Sequence, residues 1–172
     1  TADAIHAYSP AGKVPVLQDG ELTVWDSLAI GEYLAEQAPD AGLWPAEPAA
    51  RAVARSVTAE MHSDFAALRR EMPMDVRTRA AKTPDAAVRA DIDRIVAIWD
   101  DCRARFGDGG PFLFGPFTLA DAAYAPVASR SVTYEVALPA TARAYVDAVM
   151  PHPPMRDWAA AAAEEPWVID DP

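Results

Sequence analysis

The sequence predicts two unlike parts in series: a small α/β segment over residues 1–37 and an all-α bundle over residues 49–172, joined by a linker at 38–48. Three observations carry this prediction. Two short β-branched runs, Val14–Gln18 and Leu22–Trp25, flank Asp19-Gly20, a strong short-range hairpin signal. From Ala49 onward, apolar residues recur every three or four positions, the period of an amphipathic helix. Finally, Phe117-Thr118-Leu119-Ala120-Asp121 is an Asp variant of a capping box, set in front of a run of small residues.

Taken in order, Ala2–Tyr8 reads as the end of a helix closed by Ser9-Pro10-Ala11-Gly12, so the chain is expected to begin inside a domain. Pro15 has no amide to give to a ladder and belongs at the start or edge of the first strand, which leaves the backbone groups of Val14 unpaired. After the second strand, Asp26-Ser27 opens the periodic segment Leu28, Ile30, Tyr33, Leu34, and either residue is a good N-cap. A helix start carries unpaired amides and partial positive charge, and so can hold a carboxylate. The hairpin brings the two features together as a polar notch suited to an extended peptide with a free carboxylate. Gln37–Pro48 then holds three prolines and a glycine around Leu43-Trp44-Pro45 without periodicity, and reads as a linker anchored by a buried aromatic.

In the second part, Val53, Val57, Met61, Phe65, Leu68 and Met72 predict one long helix ended by Pro73. The next helix is expected to start at Thr83 as N-cap with Pro84 in its first turn and to stop at Gly107, with the stripe Val88, Ile92, Ile95, Trp99, Cys102, Phe106. Two such stripes need each other and further partners, which points to an antiparallel bundle. The capping box at Thr118, with Phe117 as a staple, starts a helix whose Ala120, Ala122, Ala123 and Ala125 admit close neighbours, as a central buried helix requires. Asp121 therefore reads as a structural cap. Tyr134–Leu138 interrupts the pattern, two helices follow at Ala140–Met150 and Met155–Ala163, and an acidic tail without pattern runs to Pro172.

Composition excludes several classes of function. With 51% hydrophobic and 24% charged residues in 172, the chain is an ordinary globular protein of one or two domains. A net charge of −11 argues against nucleic acid or an anionic membrane surface as partner, since both need a cationic face. Neither an apolar run of membrane-span length nor a charged-then-apolar leader is read in it. The single cysteine, Cys102, excludes an internal disulfide framework and fits a reducing cytoplasm.

These features resemble the glutathione S-transferase family, in its bacterial cytosolic form. Val14-Pro15 matches an X-Pro bond that in the family is cis and precedes the third strand, and Asp26-Ser27 matches an acidic residue and serine that open its third helix. Leu43-Trp44-Pro45 is similar to the interdomain segment, and Ala120–Val127 to the central sixth helix. Glu60-Met61-His62-Ser63-Asp64-Phe65 with Leu68-Arg69, then Pro73-Met74-Asp75-Val76-Arg77, resembles a bacterial group that carries E-M-H-S-x-F-x-x-L-R followed by P-M-x-x-R. The resemblance implies the C-terminal part of a thioredoxin-like domain over 1–37 and an all-helical C-terminal domain over 49–172. It implies glutathione as co-substrate, no metal, a homodimer, and conjugation of the thiol to a small hydrophobic electrophile, a detoxification chemistry. Val14, ahead of Pro15, would pair its main chain with the cysteinyl unit, Ser27 with Asp26 would take the γ-glutamyl end, and Lys13 stands nearest for a carboxylate. The electrophile pocket would include Met61, His62, Phe65, Arg69 and Tyr124. The thiol-activating residue is expected in a segment ahead of Thr1, so no catalytic residue is assigned. Two departures, Asp64 where the group has glycine and Ser131 where it has phenylalanine, fall near the expected pocket and leave the substrate class open.

Each candidate also has a plain reading. His62 lines a pocket or is a hydrogen-bonded structural residue, and Tyr124 offers its hydroxyl to the pocket or packs with it satisfied. Arg69 and Arg77 attract an anionic co-substrate or sit on solvated faces. Cys102, on a core stripe, reads as an inert thiol. Residues 49–82 hold seven cations against four acids, so a cleft facing that stretch would gain positive potential. Two alternatives to conjugation stand beside it: a non-catalytic interaction module of the same fold, and glutathione-dependent isomerisation of a small diacid, which would employ Arg69 and Arg77.

Overall fold

The hairpin forms where the two β-branched runs put it. In the computed structural model, which describes residues 2–166, strand β1 (Val16–Asp19) pairs antiparallel with β2 (Leu22–Trp25), from Val16 opposite Trp25 to Asp19 opposite Leu22. Gly20 turns the chain at φ 59°, and the Val14-Pro15 peptide ahead of β1 is cis. Helix α1 (Ala2–His6) precedes the hairpin and α2 (Ser27–Gln37) follows it, pinned back by the Tyr33 hydroxyl, which donates to Asp19 Oδ2 at 2.6 Å. Gly12 turns left-handed at φ 63°, a conformation that strains other residues, and a Cβ there would lie 2.3 Å from Cε1 of His6, so that ring would have to move. The acidic tail expected to reach Pro172 lies outside the described residues beyond 166.

A 3₁₀ turn (Pro39–Ala41) and the Leu43-Trp44-Pro45 stretch lead into α3 (Pro48–Ser63), capped by Glu47, whose carboxylate accepts from the Ala49 and Ala50 amides at 2.9 and 2.6 Å. The long helix expected over Val53–Met72 is broken in two. α3 stops at Ser63, Phe65 turns left-handed at φ 63°, and α4 (Ala66–Glu71) starts afresh. Arg69 folds back over the break, its Nε donating to Asp64 O at 3.0 Å and its Nη2 to Met61 O, and so satisfies carbonyls that the end of α3 leaves open. The apolar stripe survives, since Met61, Phe65, Leu68 and Met72 are all buried.

Helix α5 (Ala86–Phe106) starts later than expected. Its cap is Asp85, which accepts from the Val88 amide at 2.8 Å, and Thr83 and Pro84 stay outside. It ends at Gly107, and Val88, Ile92, Ile95, Trp99 and Cys102 of its stripe are buried. Then come α6 (Leu119–Thr133), α7 (Ala140–Val149) and α8 (Pro153–Glu164).

The capping box closes as the sequence predicts and does more than cap. Asp121 is fully buried; it accepts from the Thr118 amide and hydroxyl at 2.8 and 3.0 Å, the Leu113 amide at 3.0 Å and the Tyr145 hydroxyl at 3.1 Å. Beside it Trp99 packs between Tyr124 and Tyr145, ring centroids 5.9 and 4.6 Å away. Such aromatic pairs add about 0.5–1.5 kcal/mol beyond the area they bury.

Contacts from α2 and from the linker behind it dock this part on the bundle. Arg55 of α3 forks onto Glu32, both bonds 2.7 Å; the Leu119 amide donates to Leu43 O at 2.9 Å; and Gly31 lies so close to Leu119 that a Cβ would meet it at 3.2 Å. Among the described residues no helix is long and apolar enough to cross a membrane, and no cluster of three or more potential metal ligands occurs.

Candidate functional site

The notch is built at the open end of the hairpin. The ladder runs out at Val16 opposite Trp25, so Val14 and Ser27 each lie two residues beyond that last pair, at the same open end of the hairpin. Among the described residues no backbone hydrogen bond engages the Val14 amide or carbonyl, and Val14 is 74% exposed. Its neighbour Lys13 is also exposed, and the Lys13 amide is held by Ser9 Oγ at 3.2 Å.

Across the notch, Asp26 leaves β2 at φ 74° and ψ 131°, a conformation that costs a non-glycine residue energy and that the surroundings must hold in place. Both carboxylate oxygens are used. Oδ1 accepts from the Leu28 amide at 2.8 Å, which caps α2, and Oδ2 lies 2.9 Å from Nε2 of His62 on the last turn of α3. Burial alone would raise the Asp26 carboxyl, but the Leu28 amide, the His62 ring and the Ala29 amide outweigh it and hold the group below the usual carboxylate range. The Ser27 hydroxyl, in the first turn, lies 3.4 Å from His62 Nδ1 and has no shorter partner. A strained acidic cap, an exposed serine at a helix N-terminus and unpaired strand-edge backbone can together hold an extended peptide by its main chain and one carboxylate.

Two hollows adjoin the notch. One, of about 500 Å³, is open and mainly apolar, between Ile5, Tyr8, Ser9, Val14 and Val16. The other, of about 180 Å³, lies where α2 meets the bundle, between Ser27, Leu28, Trp44, Thr58, Leu119 and Ala123. Trp44 also carries a buried indole N–H with no hydrogen-bond partner among the described residues. Sequence reasoning anchored Trp44 as a linker aromatic but missed Thr58, Leu119 and Ala123 as walls, because they become neighbours only when α3 and α6 pack side by side.

Among the described residues, four of the five residues expected around an electrophile are committed to packing or capping. Met61 and Phe65 point into the bundle core. Tyr124 has 0% exposure, and its hydroxyl donates to Val57 O at 3.1 Å, so the satisfied, packed reading of this residue applies. Arg69 is committed to the carbonyls at the end of α3. Of the five, His62 alone reaches the notch, and there it meets Asp26 and Ser27, the glutathione-side candidates. Arg77 donates to Glu165 O at 2.8 Å, far along the chain from the notch. The two departures are structural: Asp64 is the C-cap of α3, and Ser131 is buried with its hydroxyl on Ala128 O. Cys102 is buried, and desolvation, aided by Asp101, pushes its thiol up to about 12, which keeps it from acting as a thiolate. Of the cations in residues 49–82, Arg55 faces Glu32, and Arg70 and Lys82 share Glu71, whereas Arg51 is held by the neutral Pro45 and Ala46 carbonyls and keeps its full charge.

Comparison with known proteins returns one family. Residues 1–37 match the model described as glutathione S-transferase, N-terminal domain, and residues 85–161 match glutathione S-transferase, C-terminal domain. Among curated relatives, glutathione S-transferase F14 of Arabidopsis thaliana is 33% identical over 129 residues, 70% of this chain and 50% of that protein. A dichloromethane dehalogenase of Methylorubrum extorquens is 54% identical over 37 residues, 22% of this chain and 13% of that protein. The chain thus spans half the length or less of these relatives. Among solved structures, a glutathione transferase homologue from a Burkholderia, with bound glutathione, superposes with TM-score 0.68 at 25% identity, covering 90% of this chain and 76% of that one. A bacterial zeta-class maleyl pyruvate isomerase gives TM-score 0.63 at 28% identity, covering 95% and 80%.

Proposed function

Because this chain belongs to the glutathione S-transferase family, we propose that it takes part in glutathione transfer, with the notch between Val14 and Ser27 as its glutathione site. The observation that carries this reading is the unsatisfied Val14 backbone, ahead of a cis proline, at the same open end of the hairpin from which Asp26 and Ser27 start α2. The Val14 main chain would bond the cysteinyl unit, and the Ser27 hydroxyl and first-turn amides of α2 would bind the γ-glutamyl carboxylate, with Asp26 accepting from its ammonium. Lys13 would face the other carboxylate. The glutathione thiol gives up its proton to water, and the resulting thiolate is the nucleophile: it forms a carbon–sulfur bond to a small hydrophobic electrophile as the bond to that molecule's leaving group breaks, the leaving group departing with the electron pair. The protein's share is to hold the two reactants close and to favour the ionised thiol. The division into 1–37, 38–48 and 49–172, a homodimer and a cytoplasmic setting belong to the same proposal.

The test is calorimetry of glutathione binding to the full chain. Ser27→Ala removes a hydrogen bond to a charged group, worth about 1.5–3 kcal/mol, and should weaken affinity by roughly ten- to hundredfold with an unchanged thermal transition. Unchanged affinity would remove Ser27 from the site. A second reading, glutathione-dependent isomerisation of a small diacid, is favoured by the likeness to maleyl pyruvate isomerase. It no longer has Arg69 to offer the diacid, since that guanidinium caps α3. Turnover of a maleyl-type diacid without an aryl halide being conjugated would favour it, and no turnover with either would favour a binding module.

A further inference from the structure

We infer that His62 is a positioning residue for Ser27: its protonation sets whether that hydroxyl gives or takes the hydrogen bond at the carboxylate end of the notch. This rests on the glutathione reading above. On the last turn of α3 Met61 turns into the core, whereas His62 turns out toward the start of α2 with its side chain 42% exposed. Asp26 Oδ2, 2.9 Å from Nε2, can only accept, so Nε2 carries a proton in either charge state of the ring. The other nitrogen, 3.4 Å from Ser27 Oγ, is then the one that changes.

When the ring is neutral, Nδ1 is a bare acceptor and the Ser27 proton turns toward it. The hydroxyl then shows only lone pairs to an incoming carboxylate and repels it. When the ring is an imidazolium, Nδ1–H donates to Ser27 Oγ, the hydroxyl proton is released toward the carboxylate, and a positive charge stands behind the bond. The other charged groups around the ring do not take over this role. Asp26 faces it from α2; Asp64 closes its own helix; Arg69 of α4 is bound to the Met61 and Asp64 carbonyls; Glu60 is forked onto Arg94 of α5. A second imidazole, His6, lies against Gly12 on the Val14 side of the notch and is the control.

The probe is S-methylglutathione, which has no thiol to titrate, bound to the full chain by calorimetry between about pH 5.5 and 8, the range over which histidine changes charge. Affinity should rise by about tenfold as pH falls. The analogue lacking the γ-glutamyl α-carboxylate should bind weakly with a flat profile. His62→Ala should bind weakly and without pH dependence. His62→Gln, which keeps a side-chain N–H, should recover part of the affinity while its profile stays flat. A flat wild-type profile with binding intact overturns the inference and leaves the glutathione site standing. A slope that persists in His62→Ala and vanishes in His6→Ala also overturns it. Failure of wild-type protein to bind S-methylglutathione at all overturns both this inference and the glutathione reading.

Discussion

The starts of α2 and α6 use nearly the same residues and reach opposite ends. Each has an acidic side chain and a hydroxyl within the first turn, the elementary chemistry of an N-cap. At α6 everything is consumed: Asp121 is buried, takes four donors, and ties the loop at Leu113 and helix α7 through Tyr145 to one point. At α2 the carboxylate of Asp26 is half-exposed, takes one amide and one imidazole, and leaves the Ser27 hydroxyl only a long bond. A cap buried under aromatic rings stabilises the fold; the same cap beside an unpaired strand edge leaves donors free for a ligand. Local sequence does not separate the two. What packs over the helix start does.

The largest effect should come from breaking the closed start. Asp121→Ala strands four buried donors at once, and we expect it to cost about 4 kcal/mol in urea unfolding, enough to leave a large unfolded fraction. Asp121→Asn keeps the bulk and one acceptor but points an N–H at existing donors, so it should recover less than half. If Asp121→Ala costs no more than an ordinary exposed cap, about 1 kcal/mol, the contrast between the two helix starts fails. Tyr124→Phe comes next. It removes the single bond from the buried hydroxyl to Val57 O and should cost about 1 kcal/mol while leaving glutathione affinity and turnover unchanged. A fall in turnover at equal stability would return Tyr124 to a substrate pocket.

The same distinction marks how far the sequence could be read. The hairpin, a cap at Asp26-Ser27 and the box at Thr118 are local, each written in a few adjacent residues, and were legible, whereas the cis Val14-Pro15 came only from the family resemblance. The break at Phe65 was not. Met61, Phe65, Leu68 and Met72 keep helical spacing because all four fill the same core, and periodicity reports burial whether or not the backbone between them is continuous. Nothing in Asp64-Phe65 announces a left-handed residue. The start of α5 was misread because Thr83 and Asp85 are both good caps; Asp85 won by reaching the Val88 amide. The expected electrophile pocket suffered from the stripe in a different way, since four of its five residues are committed to packing or capping. His62, off the stripe, alone stayed free to face α2, and only the fold could show which residues it faces.

The smallest effect sharpens the comparison through pH. The folded-state pKa of Asp26 lies below its ordinary value, because the Leu28 amide and the His62 ring favour the carboxylate more than its modest burial opposes it. A carboxyl depressed on folding contributes stability above its unfolded pKa, and that contribution is lost as pH falls through the lower folded value. Wild type should therefore exceed Asp26→Asn in melting temperature near neutral pH by only a degree or a few, and the gap should close at a pH well below the ordinary carboxylate range. A gap that persists at that pH would mean that Asp26 acts by shape, by holding the turn at φ 74°, and not by charge. Such a result would make the open start of α2 a rigid frame like that of α6. A gap that closes leaves it as a charged device, in which Asp26 holds His62 and His62 can be turned on Ser27.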